Sequence, residues 1–195
     1  MQYLTIGTDE ITEEKFRTIQ DREDSIKSKG GLWLTEQPEE HTAINFNRWI
    51  DFIFSKGHRN IFFDKYSLQY NWKIPCSLVT LKEDSKIFKL DNKKQLQYLI
   101  DNYKSDNLFT IKGLSEQYDG IFIKLLGMMG REIDWEISKK FETFGVDTLL
   151  IFNPNCINFY QKGEVKIEPF DQYDYIKQIL YSINIEEEKK IVLKR

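Results

Sequence analysis

The chain is poor in nearly everything that marks a specialised class of protein. It has two cysteines in 195 residues, Cys76 and Cys156, far apart and each beside apolar neighbours. That count excludes a disulfide scaffold and fits small buried thiols in a reducing compartment. It has two histidines, His41 and His58, and neither has a partner at zinc-finger or zincin spacing, so no metal is expected. The apolar setting of both thiols argues against a Cys–His nucleophilic pair. There is no phosphate-cradling P-loop pattern and no dinucleotide GxGxxG. Neither sign of charge dominates: 28 basic and 31 acidic residues leave a net charge of −3. A nucleic-acid partner is therefore not expected, since such domains carry a strongly basic face. No apolar run approaches a membrane span, so no membrane partner is expected. Asp9, Glu10, Glu13 and Glu14 are foreign to a secretory leader, and a cytoplasmic location is expected. No repeat, low-complexity tract or linker divides the chain.

What is present is a core. The composition is 41% hydrophobic and 30% charged, ordinary for one globular domain over residues 1–195. The clearest signal is Gly145 to Ile157. Its run Leu149-Leu150-Ile151-Phe152 is closed by Asn153-Pro154-Asn155, residues that favour turns. A short apolar run bounded by breakers reads as a strand buried on both faces. Asp147 stands at its mouth, where a carboxylate stays partly solvated while facing a cleft. The plainer reading is an Asp that starts a strand beside a Gly turn.

Other elements follow from spacing. Strands are expected over Met1–Gly7, Leu32–Thr35, Ile74–Leu81 (with Pro75 near an edge), Lys86–Leu90, Ile121–Ile123, Cys156–Tyr160 and Lys166–Phe170. Helices are expected from Thr8-Asp9 onward, after Pro38 to about Gly57, over Lys93–Tyr103, over Trp135–Phe144 and over Asp174–Asn184. Ile111–Gln117 reads as a short helix or loop, Gln20–Lys29 as an exposed loop, and 186–195 as a charged tail. Strands and helices mingle without βαβ alternation. The expected fold class is a single α+β domain with mixed or antiparallel sheets and flanking helices, the strands at Thr5, Leu34, Ile121 and Ile151 sharing one or two sheets.

Three short regions stand in a telling order: Ile6-Gly7-Thr8 closing the first strand, Gly31-Leu32-Trp33-Leu34-Thr35, and Asp147 leading through Asn153-Pro154 to Ile157. The ordered set resembles the ADP-ribosyltransferase superfamily, over Tyr3 to about Ile157. Tyr118-Asp119-Gly120-Ile121 is similar to the strand lead-in before that family's third region. Two departures stand out. Ile6 occupies the place of a His or Arg that contacts NAD, and Asp147 is the nearest carboxylate to the family's catalytic Glu.

The resemblance implies an ADP-ribosyltransferase-like fold and NAD as a substrate. Asp147 would be the catalytic carboxylate, meeting the positive charge that develops on the ribose as nicotinamide leaves. Gly7, Thr8, Gly31, Trp33 and Thr35 would line the NAD site. Trp33 would offer a flat face to nicotinamide, and glycine backbone would meet its amide. Arg48 is a candidate diphosphate partner, with Arg131 as a second, because guanidinium matches phosphate oxygens bidentately. The implied activity is a divergent NAD-dependent transferase acting on a protein or other macromolecular target, as in toxins, effectors and phage–bacterium conflict proteins. The alternative is a catalytically inactive protein-binding module on the same fold. Ile6 and the missing Glu favour it, and the aromatic segment with Phe63, Tyr66, Tyr70 and Trp72 would supply its contacts.

Overall fold

Alternation along four short strands sets the architecture. A computed structural model describes residues 2–8, 10–16, 19–22, 25–36, 72–105, 108–109, 111–124, 147–167 and 181–189. Successive strand residues point to opposite faces. Leu149 and Ile151 accordingly join one buried cluster with Leu32, Leu34, Phe122, Tyr3 and Val79, while Leu150 and Phe152 join another with Ile121, Ile123, Phe88 and Leu90. A strand buried at every position is covered on both faces, and Thr148–Ile151 and Gly120–Ile123 are two such strands.

The strands are β1 (Gln2–Ile6), β2 (Gln20–Arg22), β3 (Ser25–Lys29), β4 (Leu32–Glu36), β5 (Trp72–Leu81), β6 (Ile87–Leu90), β7 (Lys104–Ser105), β8 (Leu108–Phe109), β9 (Gly120–Ile123), β10 (Thr148–Ile151), β11 (Ile157–Ile167) and β12 (Tyr181–Lys189). Eight of them form one sheet in the order β12-β11-β5-β1-β4-β10-β9-β6. Its neighbours are antiparallel except β6 and β9, which run parallel. The fold is thus α+β on a mixed sheet, and the strands at Thr5, Leu34, Ile121 and Ile151 share it as expected.

Helix α1 (Lys93–Tyr103), present as its spacing predicts, covers one face with buried Leu96, Leu99 and Tyr103, and Ile100 packs against the same cluster partly buried. Helix α2 (Ile111–Ser115) adds Ile111 and Leu114 to the same cluster. Among the described residues no helix is long and apolar enough to cross a membrane.

Strand β4 changes partner halfway. Its Leu32–Leu34 pair with β10, whereas the ladder to β1 consists of Tyr3↔Glu36 and Leu4↔Thr35. Pro75 lies not at a sheet edge but in β5, between β1 and β11. Its carbonyl accepts from the Gly7 N–H at 2.8 Å, which places its missing N–H on the β1 side. Proline cannot return that bond, so the β1–β5 ladder ends at Ile6↔Cys76.

Several expected elements differ. Among the described residues Thr8 starts no α-helix: its Oγ1 donates to the Glu10 carbonyl and accepts from the Glu10 N–H, and a 3₁₀ turn, Glu13–Phe16, follows. Such local bonds offer the backbone an alternative to helix. Within the polar stretch 20–29, Gln20–Arg22 and Ser25–Lys29 pair antiparallel as β2 and β3. The helical spacing over 174–184 fails at its end, because Tyr181–Lys189 is strand β12 on β11. Tyr181, Ile183 and Ile185 also alternate with period two, and the long partner strand decides between the periods. The charged tail therefore begins inside the sheet. The strands expected at 156–160 and 166–170 are one strand through Ile167. The helices expected over 38–57 and 135–144 lie outside the described residues, as do Arg48, Arg131, both histidines, and Phe63, Tyr66 and Tyr70.

Candidate functional site

Strands β1, β4, β10 and β9 lie side by side, and their ends present two different chemistries. One end is a knot. Asp119, just before β9, accepts the Lys86 N–H on Oδ2 and the Asn153 side-chain amide on Oδ1, at 2.8 and 2.7 Å. Its carbonyl accepts the Phe152 and Asn153 N–H groups, and its own N–H donates to the Lys86 carbonyl. The side chain of Asn153 also caps the turn after β10 by accepting from Asn155 N. The Asp-Gly and Asn-Pro pairs are thus fasteners that join β6, β9 and β10.

Two glycines let the backbones close there. A Cβ on Gly120 would stand 2.7 Å from the Leu150 carbonyl oxygen. One on Gly31, at φ +76, would stand 2.5 Å from Leu150 Cδ1 and 2.9 Å from the Ile151 carbonyl oxygen. Gly31 therefore serves close packing on β10.

The other end is charged. Asp147 precedes β10 and is 9% exposed, and its carbonyl accepts the Thr35 hydroxyl at 3.3 Å. Continuing the pairing from Leu149↔Leu34 and Thr148↔Ile123 brings Asp147 level with Glu36 and Lys124. Tyr3↔Glu36 extends the row onto β1. Three of this row, Glu36, Lys124 and Tyr3, line a groove of 410 Å³, within the range of about 300–1,000 Å³ typical of small-molecule sites. Tyr3, Phe122, Leu81 and Ile87 give it an apolar floor, and Glu36, Lys89, Lys124, Lys82, Glu83 and Asp91 carry its charges. The rings of Tyr3 and Phe122 meet edge to face, 6.3 Å apart.

Burial governs the titration here. Desolvation raises the Glu36 carboxyl above its ordinary range; Lys124 opposes this, Asp147 reinforces it, and Lys89 again opposes it. Burial also pushes the Tyr3 phenol up to about 12, helped by the charge of Glu36. Asp147 is not itself on the groove wall; the carboxylate that reaches the groove is Glu36.

The residues singled out in the sequence divide accordingly. Thr35 and Asp147 meet at the charged end. Gly31 belongs to the knot. Trp33 packs with the cluster under α1 and α2, on the face opposite Leu34 and the groove. Gly7, at φ 91, and Thr8, whose carbonyl accepts from Ser77 Oγ, lie beyond the far end of β1. At a rise of about 3.4 Å per residue, Gly7 is roughly 14 Å along β1 from Tyr3. The Gly7-Thr8 turn and Asp147 thus do not converge on one point. Ile6 is buried at 8% exposure, a core side chain in place of the cation the resemblance calls for.

Glu36, Tyr3, Phe122, Lys89 and Lys124 were not singled out. A signal was available for Glu36: alternation from Leu32 and Leu34 puts it on an apolar face, where a carboxylate needs a reason. Comparison with protein-family models, with curated proteins and with solved structures returned no match.

Proposed function

We propose that the chain is a divergent NAD-dependent ADP-ribosyltransferase that acts on a macromolecular target, with the Glu36–Asp147 corner as its carboxylate centre. One observation carries the reading: the three motif-bearing strands, distant in sequence, are the adjacent strands β1, β4 and β10, and the third motif's carboxylate stands level with Glu36, which lines the groove. The groove suits the reaction. Its negative wall meets the positive charge that builds on the ribose as nicotinamide departs. Lys82, Lys89 and Lys124 offer charge to a diphosphate, and the Tyr3 and Phe122 rings offer an apolar surface to a base. In this arrangement the nicotinamide ribose lies at Glu36, and Trp33 is a packing residue.

The test is release of nicotinamide from NAD by the purified chain, with transfer of labelled ADP-ribose to added protein as the second readout. A folded chain that neither binds millimolar NAD nor releases nicotinamide would sink the reading. The second reading, a non-catalytic binding module, draws on buried Ile6 and on the separation of the Gly7-Thr8 turn from Asp147. It expects NAD to be ignored altogether.

A further inference from the structure

Resting on that transferase reading, we infer that Glu36, not Asp147, is the carboxylate that touches the substrates, and that it takes the proton from the attacking nucleophile while Asp147 acts on it through its charge. Three features of the groove lead there. Glu36 lines it and Asp147 does not. Glu36 is half-buried at the end of β4, paired across β1 with Tyr3, so its backbone is fixed by a ladder rather than a loop. Asp147 stands level with Glu36 just before the neighbouring strand, its backbone carbonyl accepting the Thr35 hydroxyl.

The groups facing Glu36 are Tyr3 from β1, Asp147 before β10, Lys124 after β9 and Lys89 from β6. The two lysines keep the carboxylate usable, and Asp147 with burial keeps it basic. A base works best when its pKa lies near the working pH, which is the direction of this shift.

The step balances within the named reactants. The bond from ribose C1′ to the nicotinamide nitrogen breaks, and its electron pair leaves with neutral nicotinamide. A lone pair on a target hydroxyl or amine, or on water, forms the new bond to C1′. The proton of that nucleophile passes to the Glu36 carboxylate and from there to solvent.

The experiment compares the wild type with Glu36→Gln, Glu36→Asp and Asp147→Asn for NAD binding by calorimetry, nicotinamide release from pH 4 to 9, and thermal unfolding. Glu36→Gln is expected to keep measurable NAD binding, since Gln fills the same space, and to lose roughly 10²–10⁴-fold in turnover. Glu36→Asp, whose carboxylate is withdrawn by one methylene, is expected to fall between. Asp147→Asn is expected to keep measurable turnover with the acid limb of its pH profile moved to lower pH, because a charge that raises the Glu36 pKa is gone. Wild-type turnover in Glu36→Gln would overturn the assignment and leave the transferase reading standing, as would loss of all turnover in Asp147→Asn alone. A wild type that neither binds NAD nor releases nicotinamide would overturn both.

Discussion

The two ends of β4, β9 and β10 are built from the same strands and solve opposite problems. At the Asp119 end every named polar group is answered by a neighbour, and glycine backbones close against Leu150 and Ile151. At the Glu36 end a carboxylate is half-buried beside another, its ionisation opposed by burial and only partly relieved by lysines. The first arrangement lowers the free energy of the fold. The second raises it, and groups held at a cost gather where chemistry is done. The difference also separates motif from mechanism. The Asp-Gly and Asn-Pro pairs, although prominent in the sequence, are accounted for by fastening.

Substitutions at the knot should give the largest losses of stability. Gly31→Ala combines a left-handed φ with contacts at 2.5 and 2.9 Å. Overpacking and the backbone penalty together should cost roughly 3 kcal/mol or more in denaturant unfolding. A loss under about 1 kcal/mol would mean that the β4–β10 contact yields easily, and the contrast would weaken. Asp119→Ala comes next. It strands the Lys86 N–H and the Asn153 amide, and should cost roughly 2–3 kcal/mol. Asn153→Ala, which removes a cap and one of those bonds, should cost about 1–2 kcal/mol by the same measurement.

The smallest effect should have the opposite sign. The folded-state pKa of Glu36 lies above its ordinary value, so its favourable contribution is complete below the unfolded pKa and is lost as pH rises through the folded one. Glu36→Gln should therefore melt at or above the wild-type temperature at pH 7. The gain should vanish below about pH 4.3, the ordinary value for glutamate. A variant less stable than wild type at neutral pH would show that Glu36 supports the fold, and the comparison would break.

The thiols offer a control outside both ends. Cys76 and Cys156 are buried, and burial pushes the Cys156 thiol up to about 12. Native protein should react slowly with a disulfide reagent at pH 8, whereas unfolded protein should react at both positions.

Much of the sheet was legible. Leu149–Phe152 identified itself as a doubly buried strand, and α1 came from spacing alone, because local apolar period is a strong signal. The failures were of another kind. Gln20–Arg22 and Ser25–Lys29 are largely polar yet pair as strands, and Tyr181–Ile185 carried two periods at once, settled only by β11. At the candidate site, Asp147 and Thr35, both singled out in the sequence, meet through the Asp147 backbone carbonyl. Glu36 was passed over because its meaning depends on register, which aligns it with Tyr3 and Asp147 through strands distant in the chain.

The change of partner halfway along β4 has a consequence for how the molecule opens. Five pairs join β1 to β5 and ten positions join β5 to β11, but two pairs join β1 to β4. Cooperative units of a protein part where the fewest bonds cross. Amide exchange should therefore divide the sheet into two blocks, β12-β11-β5-β1 and β4-β10-β9-β6, with protection stepping down at Leu4 and Thr35. The groove sits over that line, with Tyr3 on one block and Glu36 on the other. A ligand that touches both side chains would stitch the blocks together, and would register as slowed exchange across the whole sheet.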